Sequence, residues 1–338
     1  MEKKRNLNLD LVRVVSCFAV IGLHTFLCDV SFINSVLYYL CGFAVEAFFM
    51  ASGYILANRK EIPFRNTLRK IGNILIVVTL WNGGLFIVKF SYKVILHHDN
   101  SYPVYDIFLM IGKSLIQKDT MFHFWYFGAL ILIYLVIYVI TKLQCTEKAK
   151  KIIWITALVI CVGIQTGSII MGEPLQKHLP QTFRLWTWVQ YFLLGGLTAG
   201  WSEKIYLRVS LKLHTGIFCA VCIMIPLYQY YMGNHVIGNA HAEYFYDDIL
   251  TIVWVFLLFT LLMRLKLSER VCKAVQCIAP CTMGMYIIHP LLIKGISHFI
   301  ALNSIVVCTG AFLVILAFSF GMTYIMLKIP VVRKLVIL

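Results

Sequence analysis

The sequence predicts an all-α polytopic membrane protein with about ten transmembrane helices and both termini in the cytoplasm. Of its 338 residues, 60% are hydrophobic and only 13% are charged, whereas soluble domains carry about 25% charged residues. The apolar residues fall into runs long enough to cross a bilayer. Lysine and arginine are concentrated in alternate loops, as the positive-inside rule requires of cytoplasmic loops.

The predicted spans are distributed along the whole chain. We see no internal repeat, low-complexity tract or fused soluble domain, so residues 1–338 are predicted to form a single transmembrane domain. The sixth span is short enough to be tilted, broken or partly re-entrant. The spans lie at about 9–28, 33–57, 68–90, 123–141, 152–171, 185–200, 213–231, 246–263, 279–299 and 303–327.

Positive charge sets the predicted orientation. Of the 30 Lys and Arg residues, 22 lie at the termini or in loops that would share one side, seven lie in the other loops, and Arg13 lies inside the first span. This asymmetry places both termini in the cytoplasm. It also explains the net charge of +15 without nucleic-acid binding, which we do not expect. The basic N-terminal segment and the apolar run after it resemble a signal sequence but lack a small-residue cleavage site. The first span is therefore predicted to stay in the mature protein.

Arg13 and His24 are the unusual residues of the first span. They are eleven positions apart, nearly three helical turns, so they share a face and are separated by roughly 16 Å. An ionisable group in lipid costs about 2.5–3.5 kcal/mol, so such groups usually face a cavity or a partner. Arg13 could simply pair with Asp10 near the surface, and His24 could be a wetted helix-end histidine. Their common face favours a functional site.

Glu46 lies in the apolar run of the second span and must find a partner or be protonated. It could hold His24 in one tautomer, or be satisfied by neighbouring helices. Ser52 and Gly53 follow it, and small residues of this kind let helices approach closely.

Two more histidines lie at or within predicted spans. His123 begins the fourth span near the level where His24 should end, and Trp125 and Tyr126 follow it as expected interfacial anchors. His289 lies within the ninth span beside Pro290, which can kink a helix. His289 alone could be a packed core group.

A basic segment precedes the third span. Arg65 and Arg69 are one helical turn apart, and Lys70 is adjacent. Two guanidinium groups on one face can bind phosphate, although the positive-inside rule alone would also explain them.

Two predicted outward loops combine aromatic, amide and acidic residues, which suits a carbohydrate surface as well as an ordinary wetted loop. They are residues 91–122, with His97 and His98, and 232–245, with His241 and Glu243. No nucleotide-binding loop, hydrolase elbow or zinc motif is present. The cysteines lie mostly in apolar runs, so no metal or disulfide framework is predicted.

The chain resembles the acyltransferase family 3 membrane proteins, bacterial enzymes that acylate cell-surface glycans, because it carries the motifs of that family in the same order along the sequence. Within that family the chain looks similar to stand-alone members that acetylate enterobacterial common antigen. The family's basic motif is usually Arg-x-x-Arg, whereas here Arg65 and Arg69 are separated by three residues, so which pair would meet a phosphate is open. The shared motifs span about 280 residues: Leu9-Asp10-x-x-Arg13 with its gap to His24, Glu46-x-Phe48-Phe49-x-x-Ser52-Gly53-Tyr54, the basic pair, His123-x-Trp125-Tyr126, Tyr191-Phe192-Leu193-Leu194-Gly195 and Tyr286-Ile287-Ile288-His289.

The resemblance implies an acyl-CoA donor, most often acetyl-CoA, on the cytoplasmic side of a bacterial inner membrane, and a glycan or polysaccharide acceptor facing outward. It implies His24 as general base or transient acyl carrier. Partners would be membrane lipid, glycan and coenzyme A, without a metal; the oligomeric state is open, a homodimer being one option. The implied sites are catalytic (His24, Arg13, Glu46), donor-binding (Arg65, Arg69, Lys70, Ser52, Tyr54) and acceptor-binding (His123, Trp125, Tyr126, His289).

A transporter or flippase of a glycan or small anionic substrate is the main alternative, with Arg13, Glu46, His24 and His289 lining a passage. The lack of paired inverted repeats counts against it. A binding or sensory module is a third class. The sequence leaves open the acceptor, the hydroxyl modified and the choice between acetyl and another short acyl group.

Overall fold

The computed structural model describes residues 5–59, 61–93, 106–201 and 209–337, and all regular structure in these ranges is helical. The predicted all-α class is therefore confirmed. The α-helices are α1 Leu7–Thr25, α2 Phe32–Leu40, α3 Ala44–Leu56, α4 Phe64–Ser91, α5 Asp106–Leu115, α6 Trp125–Lys142, α7 Glu147–Met171, α8 Leu185–Trp201, α9 Leu211–His235, α10 Ile249–Arg264, α11 Glu269–Ile278, α12 Thr282–Phe299 and α13 Ile305–Lys328.

Eight helical segments of the described chain are long and apolar enough to cross a membrane. Two of these segments each consist of two consecutive helices, α2 with α3 and α11 with α12, and each pair is counted as one span. Helices α8 and α10 are shorter, at 17 and 16 residues. Together they account for the ten predicted spans, with ends within several residues except where α11 extends the ninth. The cytoplasmic location of both termini stays a prediction.

The second predicted span is interrupted, the ninth begins at a break between two helices, and the sixth is continuous. The second span turns at residues 41–43 between α2 and α3, where the Gly42 amide donates to the Tyr39 carbonyl at 2.9 Å. The ninth begins at Ala279–Cys281, a short 3-10 segment that separates α12 from the preceding α11, where Pro280 cannot donate the helical hydrogen bond. The sixth span is one continuous helix, α8.

The predicted outward loop 91–122 contains a helix that the sequence analysis missed. Helix α5 packs against α4, and the Asn82 side chain donates to the Ser114 hydroxyl at 3.1 Å. Its brevity explains the omission, because ten residues cannot span a bilayer. His97 and His98 of this loop lie outside the described residues.

Helix α1 lies at the centre of the bundle. It packs against α3, α10, α12 and α13. The Cys17 thiol donates to the Thr282 carbonyl at 3.3 Å, which joins α1 to the start of α12. The face of α1 that carries Arg13 and His24 is therefore surrounded by helices rather than by lipid alone.

The closest helix contact joins α3 and α8. A Cβ on Gly53 would overlap the Phe192 carbonyl, and a Cβ on Gly195 would overlap the Met50 carbonyl. The prediction that Ser52-Gly53 permits close helix approach is confirmed. Within lipid, small residues at such contacts allow the dispersion attraction that holds helices together.

We expect Gly53→Ala and Gly195→Ala each to lower the stability of the bundle by at least about 1–3 kcal/mol, because the added methyl meets rigid backbone. The measurement is the thermal unfolding midpoint of purified protein in detergent. Gly163→Ala on α7 is the matched control, since a Cβ there has nothing within 4 Å. Unchanged midpoints for Gly53→Ala and Gly195→Ala would contradict the packing described.

Candidate functional site

Three histidines from distant parts of the chain meet at one end of α1. The His24 ring centroid lies 5.3 Å from that of His289, and the His289 centroid lies 5.8 Å from that of His123. His123 and His289 are buried, while His24 is half-buried. The structure thus brings together three of the histidines that the sequence analysis selected.

Hydrogen bonding assigns the tautomer of neutral His289. Its Nδ1 atom lies 3.2 Å from the Met285 carbonyl oxygen. Because a carbonyl only accepts, Nδ1 carries the proton and Nε2 keeps its lone pair. This Nε2 is buried and has no hydrogen-bond partner among the described residues. His289 therefore offers a free acceptor atom within the cluster.

His123 is held by its backbone and by ring contacts. The Tyr286 hydroxyl donates to the His123 carbonyl, and the rings of His123 and Tyr286 meet edge to face at 5.5 Å. In the described part of the chain neither ring nitrogen of His123 has a hydrogen-bond partner. Tyr286 was not selected as a site residue, although its position three residues before His289 places both on one helix face.

A cavity of about 570 Å³ adjoins these rings, and we call it the histidine cavity. His24, His123 and Trp125 line it together with side chains of the predicted outward loops. A second cavity of about 380 Å³ reaches His24 from another side, between Asp119 and Lys294. The cluster is therefore accessible to a small molecule. The histidine cavity is lined further by Val20, Leu23, Leu27, Cys28, Asp29, Tyr38, Val45, Gln181, Ala240, His241, Glu243, Tyr246 and Tyr286.

A separate cavity of about 430 Å³, the arginine cavity, lies toward the other end of α1. Arg13, Ser52, Tyr126 and Tyr134 line it, and Tyr286 lines both this cavity and the histidine cavity. Tyr126 thus lies at the arginine cavity rather than beside the predicted acceptor site.

Arg13 pairs with a carboxylate and also faces a cavity. Its Nη1 atom lies 3.3 Å from an oxygen of Asp10, whose other oxygen is paired with Arg5, and its side chain remains 37% exposed. Both sequence interpretations of Arg13 therefore describe part of its surroundings. An arginine that is neutralised on one side keeps donors free for an anion on the other.

The predicted donor-binding residues are not all at the arginine cavity. The Lys70 ammonium lies 4.9 Å from the ring centroid of Tyr134, which lines the cavity. None of Lys70, Arg65 and Arg69 lines the cavity itself, but Lys70 is half-buried against Tyr134 whereas Arg65 and Arg69 are exposed. The ring of Tyr54 packs against Phe259 instead. The geometry favours Lys70 over Arg65 and Arg69 as the partner of Arg13.

Glu46 is fully buried in the first turn of α3. Neither carboxyl oxygen has a hydrogen-bond partner among the described residues, and no hydrogen bond joins it to His24. Its predicted role in orienting His24 stays a prediction. The buried Asp247, by contrast, accepts from Thr187 at 2.5 Å and from Gln176 at 3.2 Å.

Arg184 organises the loops above the histidine cavity. It is buried, and its guanidinium donates to the carbonyls of Leu179 at 3.1 Å, Gln176 at 3.0 Å and Glu243 at 3.1 Å. It therefore joins the segment before α8 to the segment before α10. The sequence analysis treated Arg184 only as a loop charge, because its partners are backbone atoms that no side-chain pattern reveals.

We expect Arg184→Met to lower the stability of the protein, because it leaves the buried Gln176 carbonyl and the part-buried Leu179 and Glu243 carbonyls without their donor, and a buried unpaired group costs about 1–3 kcal/mol. The thermal unfolding midpoint in nanodiscs measures this. Lys177→Met, which removes a cation from an exposed pair with Glu173, is the control and should change the midpoint little. A midpoint for Arg184→Met equal to that of the control would refute the organising role.

Within the described ranges, no group of three His, Cys, Asp or Glu side chains is arranged to hold a metal ion. The three histidines are therefore a cluster of imidazoles beside a cavity. Such a group can accept protons, hydrogen-bond hydroxyls or carry an acyl group.

Comparison with known proteins gives one match. A family model described as an acyltransferase domain, that of acyltransferase family 3, matches residues 6–327. The match covers all three histidines, Arg13 and every lining residue of the histidine cavity. No match was found among curated proteins or among solved structures.

Proposed function

The chain belongs to acyltransferase family 3, and from this premise we propose that it moves a short acyl group, acetyl in the first instance, from acyl-CoA to a glycan hydroxyl outside the cytoplasm. One observation supports the proposal above the others. A histidine cluster and a cation-bearing cavity lie toward opposite ends of α1, and Tyr286 lines the cavities at both. A single membrane-embedded protein thus has a place for each substrate.

The donor would approach from the arginine cavity. Acyl-CoA carries phosphates at one end and its thioester at the other, joined by a long flexible arm. Arg13 and Lys70 supply cations beside this cavity, and guanidinium and ammonium groups are the usual partners of phosphate. The positive-inside count predicts that this end of α1 faces the cytoplasm, where acyl-CoA is made.

The acceptor hydroxyl would be activated at the histidine cluster. The hydroxyl oxygen attacks the thioester carbonyl carbon while His24 takes the hydroxyl proton; the carbon–sulfur bond then breaks, and the coenzyme A thiolate leaves and is protonated. His24 suits this role because it lines the cavities on two sides. His289 lies behind His24, with ring centroids 5.3 Å apart, and is buried, so it would act on the reaction through His24 rather than by touching the acceptor. In the alternative route, His24 carries the acyl group transiently.

We expect His24→Ala to reduce acceptor-dependent release of coenzyme A by about 10²–10⁴-fold, the usual contribution of a positioned general base. The assay uses the protein in nanodiscs with acetyl-CoA and isolated surface glycan. His298→Ala, an exposed histidine on α12, serves as control and should retain full activity. A His24→Ala protein with wild-type release would eliminate the proposed chemistry.

We expect Arg13→Gln and Lys70→Gln each to raise the KM for acetyl-CoA by about tenfold or more, since hydrogen bonds to charged groups contribute about 1.5–3 kcal/mol. Arg65→Gln combined with Arg69→Gln should have a smaller effect, because both side chains are exposed away from the cavity. Lys273→Gln, which removes an exposed cation paired with Glu269, is the charge control. The reverse ranking would restore the Arg65–Arg69 pair as the phosphate site.

The same assay separates the enzyme from a transporter. Coenzyme A released only when glycan is supplied supports acyl transfer. Wild-type protein that neither releases coenzyme A nor binds acetyl-CoA would favour transport. The narrower similarity to acetyltransferases of enterobacterial common antigen stays a prediction.

A further inference from the structure

The histidine cavity has an unusual charge pattern for a protein so rich in lysine and arginine. Among its described lining residues are two carboxylates, Asp29 and Glu243, and no lysine or arginine. Glu243 lies in the predicted outward loop 232–245, and Asp29 lies in the segment that connects α1 to α2. The chain as a whole carries 30 basic residues against 15 acidic ones, so this acidic lining runs against the composition.

Glu243 is held in place by a set of polar contacts. Its Oε2 atom accepts from the Gln117 side-chain amide at 3.2 Å and from the Gln181 amide. The Gln181 backbone amide in turn donates to the Gln117 side-chain oxygen at 3.0 Å. Arg184 fixes the Glu243 backbone carbonyl. A carboxylate positioned in this way is pre-organised to meet a ligand.

The same cavity contains buried polar atoms that lack partners. Gln181 is 3% exposed and His123 is 1% exposed. The Gln181 Oε1 atom and both ring nitrogens of His123 have no hydrogen-bond partner among the described residues. Buried polar groups are normally paired, so these atoms point to a hydroxylated ligand that supplies the missing hydrogen bonds.

From these observations, and on the basis of the proposed acyl transfer, we propose that the histidine cavity is the acceptor subsite and that Glu243 and Asp29 select the acceptor by charge. The sugar residue that enters is neutral or carries an amine, and uronic acids and other anionic sugars are excluded. A carboxylate brought beside Glu243 would meet like charge. The described lining has no lysine or arginine, and the nearby Arg184 guanidinium lies behind it, bonded to three backbone carbonyls. Trp125 supplies an aromatic surface beside the polar groups.

The test is a binding measurement that does not depend on catalysis. Tetramers of glucosamine, N-acetylglucosamine and galacturonic acid have equal length and carry positive, zero and negative charge. Each is titrated into the full chain in nanodiscs of uncharged phosphatidylcholine, without acetyl-CoA. We expect the galacturonate tetramer to bind at least about tenfold more weakly than the other two, because apposed like charges are strongly disfavoured.

Variants then assign the selection to the two acids. Glu243→Gln keeps the shape of the side chain, and Asp29→Asn provides a second change at an exposed position that does not threaten folding. Each should reduce the difference between the glucosamine and galacturonate tetramers several-fold. Glu173→Gln, an exposed acid in the loop that follows α7, is the control and should leave the difference unchanged.

The possible outcomes distinguish failure of the charge selection from failure of the acyl transfer. Equal or tighter binding of the galacturonate tetramer, a difference unaffected by Glu243→Gln and Asp29→Asn, or no saccharide binding at all would overturn the charge selection. Failure of the acyl transfer itself would show differently, as absent coenzyme A release despite selective saccharide binding. The binding and release assays therefore test the two proposals separately.

Discussion

The close contact between α3 and α8 is the interaction on which the rest of the structure depends. At Gly53 and Gly195 the backbone of one helix touches the carbonyls of the other. Within a bilayer, the apolar surface of a helix packs about as favourably against lipid as against another helix. Backbone contact of this kind therefore supplies much of the attraction between spans. It fixes α3 against the bundle, and Ser52 on α3 then lines the arginine cavity while Val45 lines the histidine cavity.

The site solves the problem of keeping ionisable groups within an apolar bundle. Arg13 is partly neutralised by Asp10, His24 and His123 line cavities, and His289 is buried behind them. Groups at membrane depth are costly unless paired or in contact with water, so a cavity is the physical condition for their presence. The same cavities give substrates access to these groups. The cavities that make the ionisable side chains tolerable in the bundle therefore also bring them into contact with substrates.

The two ends of α1 differ in charge, and this difference accords with the two substrates proposed. Arg13 lines one cavity and Lys70 contacts the ring of Tyr134 behind it, whereas Asp29 and Glu243 line the other. An anionic donor and a neutral or cationic acceptor would each find the complementary environment at its own end. The loops above the histidine cavity keep their shape through buried polar contacts, chiefly those of Arg184 with backbone carbonyls.

The sequence by itself determined the all-helical class, the ten spans, the shared face of Arg13 and His24 and the close approach at Gly53, because hydrophobic length, helical period and residue size are local properties. Only the tertiary structure brought His123 and His289 to His24, placed Lys70 rather than Arg69 beside the arginine cavity, and gave Arg184 its carbonyl partners. These contacts join residues far apart in the chain. They depend on which helix faces pack together, and a single sequence does not record that choice.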